Sequence, residues 1–285
     1  MLDARSVRAL VAAALAEDIG SGDATTLAIV PAARRARARV VAKAAGVLAG
    51  RPVFEAVFQH LDADCRVEGK DDASTVQSGE VIWQLEGPAR ALLAGERVAL
   101  NFVQHMAGIA TRTAQFVRAV QGTGVVVTDT RKTTPGLRSL EKYAVRCGGG
   151  QNHRSSLDAM LLVKENHVAA AGSLEQAVQL ALRAADGRQV EVEVRELDEL
   201  RQVIALGVER VLLDHWTPEE VQRALDLRGS HSRPQIEVSG NLTLETIRAF
   251  ALPGVQFLSV GALTHSAPAL DLSLLFEDAS EGEVV

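Results

Sequence analysis

From residue 125 onward the chain alternates between short, nearly continuous apolar runs and longer amphipathic stretches. The apolar runs fall at 125–128, 160–163, 190–194, 211–213, 235–238 and 257–260. Each is strand length, and most are nearly continuous apolar runs rather than the alternation of a sheet with one wet face. They therefore predict strands covered on both sides, the condition of a parallel sheet packed under helices. The intervening stretches carry helix-start signals. Ser173-Leu-Glu-Gln176 and Thr217-Pro-Glu-Glu220 read as capping boxes, the second with proline at the first helical position. Repeated strand–helix units with six strands predict an open or closed α/β barrel. No Gly-x-Gly-x-x-Gly follows the first strand, which argues against a dinucleotide-binding sheet.

The first 120 residues follow another pattern. Short strand-like stretches at 36–43 and 81–85 lie among turn signals at Gly46, Gly50, Gly79 and Gly87. A helical apolar period then runs from about 90 to 120 through Leu92, Leu93, Val98, Leu100, Val103, Met106 and Ile109. This predicts a smaller α+β domain joined to the barrel by a long helix. Arg35, Arg37 and Arg39 alternate along one strand and read as a solvated face, with no interleaved aromatics of the kind a nucleic-acid surface uses.

The ends of the predicted strands change the picture. Asp129, Arg131 and Lys132 follow the first, and Lys164 follows the second. Glu193 sits in the third and Asp214 ends the fourth. Ser239 and Gly240 follow the fifth, and Gly261 follows the sixth. In a parallel α/β barrel these ends converge on one face, where active sites are built. Five cationic or potentially cationic residues (Arg131, Lys132, His153, Arg154 and Lys164) crowd into this region. Guanidinium and ammonium groups so concentrated predict a ligand with several carboxylates or phosphates.

Bulk properties narrow the class. A net charge of −6 makes nucleic acid an unexpected partner and sets the cation cluster apart from its surroundings. Only five of the 30 basic residues are lysines, and two of those five, Lys132 and Lys164, fall in the cluster. The two cysteines, Cys65 and Cys147, form no disulfide or zinc pattern. Cys147, beside three glycines, reads as a small packing residue. No apolar run is long enough for a signal or membrane span, so the sequence predicts a cytoplasmic protein with no membrane partner.

The order of motifs resembles one family. Glu17-Asp-Ile-Gly-Ser-Gly-Asp-Ala-Thr-Thr26, Glu96-Arg-Val-Ala-Leu-Asn101, Gly108-Ile-Ala-Thr111 and Thr130-Arg-Lys-Thr-Thr-Pro-Gly-Leu-Arg138 come first. Gly148-Gly-Gly-Gln-Asn-His-Arg154, Lys164-Glu-Asn-His167, Glu191-Val-Glu193, Leu213-Asp214, Glu237-Val-Ser-Gly240 and Ser259-Val-Gly-Ala-Leu-Thr264 follow. Together they cover roughly residues 15–276, and they resemble quinolinate phosphoribosyltransferase. The resemblance implies transfer of phosphoribose from phosphoribosyl pyrophosphate to quinolinate, with loss of carbon dioxide, to give nicotinate mononucleotide for NAD biosynthesis. It also implies Mg2+ as cofactor and a homodimer with shared active sites. The implied fold class is α/β: an open parallel α/β barrel at 109–267 plus an N-terminal α+β sandwich domain at 1–108, with 268–285 packing back on the sandwich.

Residue roles follow from the same resemblance. Arg131, His153, Arg154 and Lys164 would bind quinolinate, joined by Arg97 from the partner subunit. Thr130, Lys132, Ser239, Gly240, Asn241, Val260, Gly261, Ala262 and His265 would bind phosphoribosyl pyrophosphate. Glu193 and Asp214 would hold the metal, and with Lys132 they form the expected catalytic set. The chain departs from the family at 155–159, which shifts the acid at Asp158 by one place. It also departs at His215, where Asn is common, and at Asn241, where a second glycine is frequent. His60, His105 and His231 read as ordinary structural or surface histidines. Three rivals stand beside this reading: a Schiff-base enzyme on Lys164, a molybdate-transport paralogue, and a non-catalytic phosphosugar-binding protein.

Overall fold

The computed structural model describes residues 2–277. It separates into two compact units. The first comprises residues up to Arg112, Ser139–Gly149 and the chain from Ala267 onward; the second comprises Thr113–Arg138 and Gly150–Ser266. One element departs from a simple division near residue 108: the helix spanning 139–147 groups with the first unit.

The first unit begins with helices α1 (Ala4–Ile19) and α2 (Ala24–Ile29) and strands β1 (Arg35–Ala42) and β2 (Gly46–Val47). Helix α3 (Arg51–Leu61), strands β3 (Arg66–Gly69), β4 (Thr75–Val76) and β5 (Val81–Pro88), and the long helix α4 (Ala89–Ala119) follow. Helix α5 (Arg138–Cys147) and the last strand, β12 (Leu272–Phe276), complete it. The main sheet is antiparallel, in the order β12-β1-β5-β3. The end of the described chain thus returns to β1; residues 278–285 of the expected returning segment lie outside the described residues. On β1 the arginines face solvent while Ala38, Val40 and Ala42 are buried, so the alternation reports a one-sided sheet. Helix α3 covers that buried side with Val53, Phe54, Val57 and Phe58. Phe54 packs on Phe58 and Trp83 with ring centroids 5.0 and 4.7 Å apart. Each such aromatic pair adds about 0.5–1.5 kcal/mol beyond burial of its area.

The second unit holds β6 (Val126–Thr128), β7 (Leu161–Val163), β8 (Val190–Val194), β9 (Arg210–Asp214), β10 (Gln235–Ser239) and β11 (Phe257–Ser259). They form one parallel sheet, β6-β11-β10-β9-β8-β7, open between β6 and β7. The α/β class and open parallel arrangement are those read from the sequence. Helices α6 (Glu165–Ala171), α7 (Leu174–Arg183), α8 (Leu197–Ala205), α9 (Pro218–Arg228), α10 (Ile247–Phe250) and α11 (Ala262–His265) connect the strands. At α9 both halves of the capping box form. At α7 the Ser173 hydroxyl accepts from the Gln176 N–H at 3.1 Å.

The register aligns the strand ends that carry the chemistry. Ser239 pairs with Asp214 on one side and Ser259 on the other, and Ser259 pairs with Thr128. Parallel pairing therefore carries the residues just beyond β6–β11 to one edge of the unit. Among the described residues no helix is long and apolar enough to cross a membrane.

Candidate active site

At that edge lies a cleft of about 340 Å³, lined by residues of the second unit. Thr130, Arg131, Lys132, His153, Arg154, Lys164, Glu193, Asp214 and Ser239, all singled out in the sequence, line it. His215, Glu237 and Ser259 also line it. Arg97 is exposed on α4 of the first unit and is not among the lining residues.

One wall is cationic. The Nε of Arg131 is buried and has no hydrogen-bond partner among the described residues. Arg154 donates from a guanidinium nitrogen to the Met160 carbonyl at 3.1 Å. Partial burial and then the neighbouring charge of Arg131 pull the Arg154 guanidinium below its ordinary pKa. Two arginines that repel each other, one with an orphaned donor, are arranged for an anion rather than for the empty fold. Opposite them, Lys164 is ion-paired with Glu193. Asp214 meets its neighbour His215 at 2.9 Å. Glu193, next to last in β8, and Asp214, last in the adjacent β9, supply oxygen donors to the same opening.

The backbone beside this acid pair is unusual. His215 and Asn241 have φ of 65° and 50°, and Gly240 has φ of 101°. A Cβ on Gly240 would lie 2.8 Å from the backbone nitrogen of His215, so only glycine allows that approach. Non-glycine residues in the left-handed region cluster where a fold is shaped for a ligand. Gly261 lies equally close to functional side chains: a Cβ there would meet Lys132 at 3.1 Å and His265 at 3.3 Å. Thr264 donates to the Lys132 carbonyl at 2.7 Å, and the Lys132 N–H donates to Thr130 at 3.0 Å. Ser239, Gly240, Gly261 and Ala262 are half-buried, while Asn241 and His265 are exposed. Val260 differs from them: it is buried, and its N–H donates to the Thr128 carbonyl. It therefore has no N–H left to offer a phosphate.

A charged layer beneath the cleft was not assigned from the sequence. Glu191 and Glu237 are fully buried, and Arg210 is nearly so. The Arg210 Nε faces a Glu191 carboxylate oxygen at 3.2 Å, and another guanidinium nitrogen is ion-paired with Glu237. The guanidinium carbon lies 3.8 Å from the centre of the Phe257 ring. The Ser259 hydroxyl donates to Glu237, and the Thr128 and Ser259 hydroxyls meet at 2.7 Å. Burial and then the charge of Glu191 push Glu237 up to about 7. Burial would raise Glu191 too, but the His153 ring and Arg210 outweigh it and hold that carboxyl below the usual range. The ligand atoms of His153, Glu191 and Glu237 lie within 4.8 Å of one another, spacing a metal could use. The carboxylates already have a counter-cation in Arg210.

Asp129 shapes the loop between β6 and the cationic wall. It is fully buried and accepts from the His153 N–H at 2.9 Å and from the Asn152 amide at 2.5 Å. The altered stretch at 155–159 is mostly exposed, with Ser156 bonded to Asp158 and Leu157 open to solvent. Burial pushes the Cys65 and Cys147 thiols up to about 11, so neither is a ready nucleophile.

Comparison with known proteins agrees with this geometry. The C-terminal domain of quinolinate phosphoribosyl transferase matches residues 109–275, and its N-terminal domain matches residues 23–107. The chain is 42% identical over 277 residues to a carboxylating nicotinate-nucleotide pyrophosphorylase of Mycobacterium leprae, covering 94% of this chain and 96% of the relative. The human protein of that name is 43% identical over 256 residues, covering 87% and 84%. The crystal structure of NadC from Streptococcus pyogenes superposes with a TM-score of 0.92 at 41% identity, covering 98% of this chain and 99% of that one. By its two matching domains, and by relatives of this identity along most of its length, the chain belongs to the quinolinate phosphoribosyl transferase family.

Proposed function

We propose that the cleft transfers the phosphoribosyl group of phosphoribosyl pyrophosphate to quinolinate and releases carbon dioxide, giving nicotinate mononucleotide and pyrophosphate. One observation carries the reading. Arg131, Arg154 and Lys164 border the same 340 Å³ cleft as Glu193 and Asp214, so anion clamps and oxygen donors share one opening. A pyridine dicarboxylate fits the cationic wall, and the orphaned Arg131 Nε gives one carboxylate a buried donor.

The substrate nitrogen is itself the nucleophile. It attacks the anomeric carbon, the bond to pyrophosphate breaks, and that electron pair leaves with pyrophosphate. Lys132 meets charge on the leaving group, and Glu193 faces positive charge developing on the ribose. The alkylated ring then accepts the electron pair released when the C–CO2 bond breaks, and the ring carbon takes up a proton. The chain's share in this second step is positioning, with Arg131 and Arg154 holding the carboxylates while the cleft limits water.

Glu193 and Asp214 suit Mg2+, which prefers oxygen ligands and often joins one or two carboxylates to substrate phosphates. When bound, such an ion neutralises the departing pyrophosphate. Ser239, Gly240, Asn241, Gly261, Ala262 and His265, with Thr130, form the subsite for the sugar phosphate. The catalytic domain is 109–267, and Arg97, exposed on α4, completes the quinolinate subsite of a partner chain in a homodimer. The two unpaired cysteines fit a reducing, cytoplasmic setting. Against the Schiff-base alternative, an ammonium ion-paired with Glu193 is not the neutral amine such chemistry needs.

The test is product formation from quinolinate, phosphoribosyl pyrophosphate and Mg2+, with nicotinate as the control acceptor. Nicotinate mononucleotide from quinolinate alone supports the reading. Turnover of nicotinate, or none with either acceptor, contradicts it.

A further inference from the structure

Two loops carry the arginines of the cationic wall, Arg131 after β6 and Arg154 before β7. Their charges oppose each other, since Arg131 helps to pull the Arg154 guanidinium below its ordinary pKa. Attraction between them therefore cannot fix the spacing of the two loops in the empty site. Arg138 reaches both loops. Its Nε donates to the Thr133 hydroxyl at 2.9 Å, and a terminal guanidinium nitrogen donates to the Ser155 carbonyl at 3.1 Å. Thr133 lies two residues after Arg131, and its N–H donates to the Arg131 carbonyl at 3.0 Å. Ser155 directly follows Arg154. The chain is folded for this reach. In Thr134-Pro-Gly-Leu137 the Leu137 N–H donates to the Thr134 carbonyl at 3.0 Å, and Gly136 takes φ of 82°. Proline and glycine at the two central places make this a type II turn, which brings Arg138 back beside Thr133. Arg138 does not itself line the cleft.

We propose that Arg138 is a positioning residue for the quinolinate subsite, tying the Thr133 loop to the Ser155 loop and so setting the spacing of Arg131 and Arg154. The inference rests on the function proposed above. A planar guanidinium with donors at fixed angles suits two acceptors on separate loops, whereas an ammonium on a flexible stem does not hold both in one geometry. The acceptor on the second loop is a main-chain carbonyl. The tie therefore survives the departure from the family at 155–159, where side chains change. Arg154 donates to the Met160 carbonyl at 3.1 Å, so that altered stretch is held by Arg138 at one end and by Arg154 at the other. Lys132 has its own support, because its carbonyl accepts from Thr264 and its N–H donates to Thr130. Loss of the tie falls on quinolinate and spares the phosphoribosyl donor.

The experiment pairs kinetics with amide hydrogen exchange. Arg138→Gln and Thr133→Val are each expected to raise KM for quinolinate by about tenfold or more, with KM for phosphoribosyl pyrophosphate within about twofold. The double variant loses no more than the worse single one, because both changes remove the same tie. In ligand-free protein, Arg138→Gln speeds exchange at 132–137 and 155–160 by about tenfold and leaves β8, β9 and β10 as in the parent. If Arg138→Gln does not fold, Thr133→Val supplies both the KM comparison and the exchange map by itself. An unchanged KM for quinolinate, equal rises in KM for both substrates, or additive losses in the double variant overturns the proposal. So does exchange that rises across the whole second unit, which marks Arg138 as a general stabilising residue. Exchange is read without substrate or turnover, so a failure of the functional reading would show separately as an inactive parent.

Discussion

Replacing Arg131 with methionine is expected to make the empty protein more stable while abolishing its use of quinolinate. The buried Nε of Arg131 lacks a hydrogen-bond partner among the described residues. An unsatisfied buried donor costs about 1–3 kcal/mol. The same guanidinium depresses the pKa of Arg154 by its charge, a repulsion worth less than about 1 kcal/mol at a partly solvated site. Methionine fills similar volume and removes both penalties, at the loss of some hydration of the arginine head. The net gain is about 1–2 kcal/mol, and at about 2–4 °C per kcal/mol this raises the melting temperature by roughly 2–8 °C. Loss of a charge-assisted donor to a carboxylate costs at least about 2 kcal/mol, or roughly 30-fold in quinolinate affinity. Differential scanning calorimetry in buffer free of phosphate and sulfate measures the first effect; isothermal titration with quinolinate measures the second. A melting temperature below that of the parent, or a Kd within about threefold of it, would refute the reasoning. The parent should also gain stability from quinolinate by mass action, and the variant should not.

Other expectations concern separate parts of the site. Glu237 titrates near 7 in the fold against an ordinary 4.5, so its protonated form favours folding. That contribution is complete below about pH 4.5 and is lost as pH rises toward 7. Urea midpoints of the parent relative to Glu237→Gln should therefore fall across that window, and a rise would contradict the assignment. Gly240→Ala forces a Cβ to 2.8 Å from the His215 nitrogen at φ of 101°, and should destabilise by about 1–3 kcal/mol in chemical denaturation. Asp214→Asn should weaken the Mg2+ dependence of phosphoribosyl pyrophosphate binding by about tenfold or more while leaving the metal-free titration of quinolinate little changed. Mixing inactive Arg97→Ala and Arg131→Met proteins should restore about a quarter of parental activity if sites are shared across a two-fold dimer, and none if they are not.

What could be read from the sequence depended on depth in the sheet. Residues just beyond the strands, such as Arg131, Lys164, Asp214 and Ser239, interrupt apolar runs and announce themselves. Glu191 and Glu237 each sit two residues before a cleft residue, Glu193 and Ser239, on the same side of their strands. That spacing puts them about 6.6 Å deeper, in a layer that Val-Glu-Val-Glu-Val at 190–194 does not distinguish from a half-exposed strand. Arg210 gave no signal at all, because its meaning comes only from its register with Glu191. Helix α5 was missed for a related reason. Glu141 and Lys142 are buried in it, so charges that usually mark a wet face hide the apolar set Leu140, Ala144 and Val145. Val260 shows a register effect that its motif does not reveal. It lies beside Gly261 in the motif, yet the sheet uses its N–H.

The central claim is that one site both forms the glycosidic bond and releases carbon dioxide. A single-turnover reaction with quinolinate labelled in the carboxylate next to the ring nitrogen tests it most directly. The account predicts labelled carbon dioxide, nicotinate mononucleotide and pyrophosphate in equal amounts. Pyrophosphate release without carbon dioxide, or carbon dioxide without phosphoribosyl pyrophosphate present, would contradict it.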